Sequence, residues 1–70
     1  MIHFEGIDIT IDWDKLTLGG SFFIPTLDDP ELIHLVYTEA RMHNFTLIHQ
    51  ARIELEMSGV RFWRVQEEED

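Results

Sequence analysis

Apolar and polar residues alternate in two stretches of this chain with the period of a half-buried strand, and a helical period lies between them. Residues 7–13 read Ile-Asp-Ile-Thr-Ile-Asp-Trp, with four apolar side chains on one face and Asp8, Thr10 and Asp12 on the other. That pattern predicts a strand. From residue 45 to 55 the odd positions Phe45, Leu47, Ala51, Ile53 and Leu55 are apolar, with His49 among them. The even positions from Thr46 to Glu56 are polar apart from Ile48. Ser58-Gly59 is the expected turn, since glycine takes positive φ without steric cost. Residues 60–65, Val-Arg-Phe-Trp-Arg-Val, are aromatic and β-branched and suit a return strand. The expectation is one antiparallel hairpin forming the spine of the domain.

Shorter signals fill in the rest. Residues 1–5 read as an earlier strand, with Gly6 as a bend or bulge. Asp14-Lys15 reads as a turn or bulge before Leu16-Thr17-Leu18 and Gly19-Gly20. Ser21-Phe22-Phe23-Ile24 is a short apolar strand stopped by Pro25, which has no N–H for a ladder. A helix is expected over 29–43. Asp28 caps it, Glu31 closes a capping box, Pro30 sits in the first turn, and Leu27 with Leu32 matches the hydrophobic staple. Leu32, Ile33, Leu35, Val36, Tyr37 and Ala40 form its apolar stripe, with Glu31, His34, Thr38, Glu39 and Arg41 largely opposite. Asn44 is the expected stop, because it tolerates the left-handed conformation. The fold class is therefore α+β: a small antiparallel sheet of four or so strands, one helix on one face, in β-β-α-β-β order. Residues 1–66 form one domain and 67–70 an acidic tail. The expected core sets Leu32, Val36 and Ala40 against Ile9, Ile11, Leu47 and Ile53.

Length and charge narrow the function classes. A chain of 70 residues buries only about 60% of its unfolded surface. It has no cysteine, so neither disulfides nor thiolate metal sites reinforce the core. This thin margin leaves monomer and homodimer equally open. No apolar run approaches the length of a membrane span, and no basic stretch precedes an apolar one, so neither span nor signal peptide is expected. The formal charge of −9 is unevenly laid out. Residues 1–39 carry eight acids against Lys15 alone, a balance of −7. Residues 40–66 carry four arginines against Glu54 and Glu56, a balance of +2, and the tail adds −4. Direct nucleic-acid binding is not expected, because phosphate contact is driven by cationic surface.

No chemical motif emerges. His3, His34, His43 and His49 lack the paired spacing of a zinc site, although His49, His3 and an acid could assemble one. Asp12 and Asp14 flank Trp13 without a third ligand. Gly19-Gly20-Ser21 lacks the Lys-Ser/Thr ending of a phosphate loop and leads into a strand, and Ser21 has no base at recognisable spacing. No catalytic residue, metal or cofactor is expected. Two groups remain as partner-binding candidates. One is acidic: Asp8, Asp12, Asp28, Asp29 and Glu31. The other is Arg52, Arg61, Trp63 and Arg64, residue types that combine contact area with forked hydrogen bonding. An internal ladder, with Arg61 or Arg64 opposite Glu54 or Glu56, is the alternative use of those arginines.

Two segments, GGSFFIP at 19–25 and GVRFWRV at 59–65, resemble a group of short bacteriophage proteins of unknown function. That group shares a G-x-SFF-(V/I)-P segment, a central helix and an ending close to G-V-R-V-W-R. The resemblance spans residues 19–65. It departs at Phe62, where the group usually has Val, and at 48–50, where members often carry further basic residues. It implies a phage setting and a host cytoplasmic location, with no assigned chemistry. Combined with the acidity, it leads to the expectation of a non-enzymatic protein that binds and inhibits a host protein or ribonucleoprotein complex handling nucleic acid. An anti-CRISPR or similar counter-defence protein acting as a DNA mimic would fit. The alternative is a phage accessory protein that binds nucleic acid or a replication protein through the Arg/Trp hairpin.

Overall fold

The computed structural model describes residues 2–26 and 30–66. The order of elements is β1 (Ile2–Phe4), β2 (Ile7–Ile9), a 3₁₀ turn (Trp13–Lys15), β3 (Ser21–Ile24), α1 (Pro30–Met42), β4 (Thr46–Glu54) and β5 (Met57–Val65). The class is α+β with one helix, but the strands form two antiparallel sheets where one was expected. β1 and β2 make a two-stranded ribbon, and the larger sheet runs β3-β5-β4.

β5 is the middle strand, and its alternation settles the layers. Val60 and Phe62 are both fully buried in a core to which α1 contributes Leu32, Val36 and Ala40. β3 adds Ile24 and Phe22 to this inner face, and β4 adds Leu47. Ile2 and Phe4 of the ribbon, with Trp13 and Leu16, close the same core. Ile9 and Ile11 pack at its margin. Ile53 does not join it and stays 75% exposed. The reason is length. Thirteen helical residues span about 20 Å, and nine strand residues span about 30 Å. The hairpin outruns its cover, and Ala51, Ile53 and Leu55 lie on the overhang.

The expected strand over 7–13 is shorter. β2 ends at Ile9, Ile7 is exposed, and the chain winds into the 3₁₀ turn, where Leu16 N–H reaches the Trp13 carbonyl at 3.2 Å. Trp13 thereby enters the core beside Phe22, Phe45 and His43. A continuous strand would have kept it at the end of a two-stranded ribbon, which buries little. The bend at Gly6 is confirmed as the turn Glu5-Gly6, with φ of 49° and 78°. The helix and the left-handed Asn44 (φ 61°) also match expectation. The capping residues Asp28 and Asp29, the staple residue Leu27 and the tail 67–70 lie outside the described residues.

The hairpin does not turn at Ser58-Gly59. It turns at Leu55-Glu56, whose φ values of 51° and 65° match the two-residue turn that suits strand twist. This register pairs every residue of β4 with β5, from Thr46↔Val65 to Glu54↔Met57. A turn at Ser58-Gly59 would instead oppose Arg52 to Val65 and carry residues 46–51 past the end of β5. Gly59 serves another purpose inside β5. A Cβ there would sit 2.4 Å from the Phe23 ring and 2.4 Å from the Ile24 carbonyl oxygen. Glycine is needed so that β3 can close against β5.

Replacing Gly59 by Ala should therefore destabilise the fold by about 1–3 kcal/mol through overpacking. Val36→Ala should cost about 2–4 kcal/mol through the cavity it leaves. Ile53→Ala should shift the denaturation midpoint little. Urea melts of the three variants, run dilute enough to hold the chain monomeric, check the set, and a large loss from Ile53→Ala there would contradict the overhang.

Candidate partner-binding surfaces

The acidic candidates lie on the segment that leaves β2. Asp8, within β2, faces His3 across the ribbon and bonds to its ring nitrogen Nδ1. Asp12 precedes the 3₁₀ turn and pairs with Lys15 at 3.7 Å. Asp8 and Asp12 border one hollow of about 430 Å³, floored by Ile9, Ile11, Leu16 and Phe22. Asp12 also borders a second hollow of about 390 Å³, together with Asp14, Glu39 and His43. The structure therefore joins Asp8 and Asp12 along one edge and adds Asp14 and Glu39 to them. Glu31 stands apart on the first turn of α1, and Asp28 and Asp29 fall outside the described residues.

Glu39 does not lie on the solvent side of the helix as the stripe suggested. It is half-buried and accepts a 2.8 Å hydrogen bond from the Trp13 indole N–H. A buried indole N–H requires such an acceptor. Glu39 is three residues after Val36 and seven after Leu32, so the signal was present in the helical spacing.

The Arg/Trp group divides between the two faces of β5. Arg64 shares the inner face with Val60 and Phe62. Its guanidinium lies 3.7 Å over the Phe45 ring, and Nη1 donates to the Leu16 carbonyl at 2.8 Å. Its backbone continues the ladder past β3, with N–H to the Gly20 carbonyl and carbonyl to the Gly19 N–H, both 2.9 Å. Gly19, at φ 84°, shapes this return and is not a phosphate loop.

Arg61 and Trp63 face outward. Arg61 grips Glu54 with two bonds, Nε to Oε2 at 2.6 Å and Nη2 to Oε1 at 2.5 Å. Its Nη1 donates to Ser21 Oγ at 2.8 Å, and its guanidinium lies 5.7 Å from the Phe23 centroid. One arginine thus links all three strands of the sheet. The internal Arg–Glu ladder is present, built from Arg61 and Glu54. Arg52 lies 3.7 Å from Glu54 and 5.8 Å from the centre of the Trp63 ring. Ile48, opposite Trp63, is 53% exposed. The outer face therefore keeps an uncovered strip of Ile48, Trp63 and Arg52.

The histidines are engaged in different places. The Tyr37 hydroxyl and His49 Nδ1 are hydrogen-bonded at 2.6 Å, and burial raises the Tyr37 pKa. His43 stacks on Trp13 at 5.4 Å, and His3 holds Asp8. Among the described residues no three His, Asp or Glu side chains are grouped to hold a metal ion. None of the described helices is long and apolar enough to cross a membrane. No family model, curated protein or solved structure matches the chain.

The forked bond from Arg61 holds the Glu54 pKa below the usual carboxylate value, with the charges of Arg61 and Arg52 adding to it against some desolvation. A carboxyl whose folded pKa is depressed contributes stability that is complete above its unfolded pKa and is lost as pH falls through the folded one. Glu54→Gln should accordingly lose less melting temperature than the parent between neutral pH and about pH 3. Parallel acid limbs in the two proteins would show that the pair carries no linkage.

Proposed function

We propose that the protein is a small, acidic, phage-type binding protein that inhibits a host complex handling nucleic acid, in the manner of an anti-CRISPR or similar counter-defence protein. The reading is non-enzymatic. Its action is occupation: carboxylates enter a cationic channel where phosphates would otherwise lie, and the opposite charges accelerate capture. The observation that carries it is the acidic edge of Asp8, Asp12, Asp14 and Glu39 beside two adjoining hollows, with Lys15 the one lysine or arginine lining either.

The state of the arginines supports the same choice. Arg61 is engaged by Glu54 and Ser21, and Arg64 by the Leu16 carbonyl and the Phe45 ring. Cations committed to the fold have little left for phosphates. A second reading, contact through the Arg/Trp face, draws on the uncovered strip of Ile48, Trp63 and Arg52. Trp and Arg there would anchor a protein partner more readily than a nucleic acid, given the net charge of −9.

The test is binding of the protein to guide-loaded CRISPR effectors and other host nucleic-acid complexes, followed over a range of salt. Asp8→Lys combined with Asp12→Lys should slow association by about tenfold or more and flatten its salt dependence. Arg52→Ala should leave association unchanged. Arg61 is unsuitable as a control because its loss strands Glu54. Gel shifts with single- and double-stranded DNA should show no complex. Micromolar binding to bare DNA that disappears in Arg52→Ala would overturn the proposal in favour of the nucleic-acid reading.

A further inference from the structure

β4 is a nine-residue edge strand among the described residues, and three apolar residues around its far end are exposed together. Ile53 is 75% exposed, Leu55 95% and Met57 48%. Leu55 also carries a left-handed φ of 51°, a conformation leucine seldom adopts. An apolar side chain held out on a strained turn gains little from the monomer. At the other end of β4, beside α1, lies a hollow of about 360 Å³ lined by Tyr37, Arg41, Asn44, Phe45, Thr46 and Leu47. One end of the strand offers apolar side chains, and the other offers space for them.

From this we infer that the protein forms a homodimer by pairing β4 with β4 of a second copy, antiparallel, about a twofold axis through Gln50. The hydrogen-bonding pattern of the hairpin permits it. Glu54 and Met57 flank a two-residue turn, so the even-numbered residues of β4 direct their backbone groups to β5. Leu47, His49, Ala51 and Ile53 direct theirs to the free edge. A centre at Gln50 overlaps all of β4, opposing Leu47 to Ile53 and His49 to Ala51 on the inner face. On the outer face it opposes Thr46 to Glu54 and Ile48 to Arg52. No like charges meet.

The same register carries the tip of each hairpin to the hollow of the other copy. Ile53 arrives beside Leu47, and the Leu55-Glu56 turn is brought toward Phe45 and Asn44, with Arg41 in the last turn of the helix nearby. Each copy thus covers the overhang that its own helix is too short to reach. The product is a six-stranded sheet with both helices on one side and no long open edge at its centre. The acidic segment between β2 and β3 lies at the opposite edge of each sheet, so pairing leaves it uncovered and doubles it.

The experiment is sedimentation equilibrium of the full chain across concentration and salt, joined to disulfide trapping. The parent chain should dimerise, and more tightly as salt screens the repulsion between two chains of charge −9. Ile53→Lys should weaken dimerisation at least tenfold while keeping its circular dichroism, because the site is exposed in the monomer. The chain has no cysteine, so single cysteines report the register cleanly. Gln50→Cys places two thiols in a non-hydrogen-bonded pair about 4.5 Å apart at Cα, within disulfide range. It should cross-link nearly completely under mild oxidation, and Ile48→Cys should cross-link little. A monomer at the highest soluble concentration would overturn the inference. A dimer indifferent to Ile53→Lys, or trapped equally well through Ile48→Cys, would overturn it too.

Discussion

Burial of Phe62 is the contact on which the rest of the structure depends. It sits in the middle strand with no exposed surface, stacked on Phe22 at 5.2 Å and flanked by Tyr37 and His49. Those four rings come from β3, β4, β5 and α1, so one side chain draws every large element together. Removing such a ring commonly costs about 3–5 kcal/mol, comparable to the whole stability of many small domains. Trp13 plays the corresponding part for the N-terminal segment. It brings the chain after the ribbon against Phe22, Phe45 and the end of the helix, and Glu39 satisfies its N–H.

The outer face is organised by charge instead of burial. Arg61 ties β3, β4 and β5 through Ser21, Glu54 and Phe23, at a site where solvent screens the ion pair. Such a half-buried, partly screened pair adds modest stability, and its forked geometry favours one register of the three strands. The arrangement also has a consequence for partners. By using Arg61 and Arg64 internally, the fold withdraws two of its five lysines and arginines from the surface of a chain whose net charge is −9.

A mismatch of lengths governs what is left uncovered. The core covers the inner face of β5 and β3 as far as Val60 and Ile24, and the hairpin continues past it. A longer helix or a shorter hairpin would have produced a closed monomer. With β4 at an edge, the overhang presents apolar side chains and unpaired backbone groups together, which natural sheets usually avoid or use for assembly.

Much of this fold was legible in the residues themselves. Local rules determined the helix, because Pro30, the 3.6-residue stripe and Asn44 act within a few positions of one another. They also determined β3 with its stop at Pro25, the bend at Gly6, and the sharing of one face by Val60, Phe62 and Arg64. What local rules do not supply is how far each apolar face is covered, so alternation places Ile53 in a core that ends before reaching it. Gly59 looked like a turn residue because glycine permits positive φ. Only the approach of Phe23, thirty-six positions earlier in the chain, reveals that its missing side chain is what matters. The acidic edge was half legible: Asp8 and Asp12 stood out by alternation, and Asp14 and Glu39 joined them once Trp13 turned inward. Alternation tells which side chains share a face. Cover, register and neighbours across the chain are set by the packing of distant segments, and only the tertiary structure decides those.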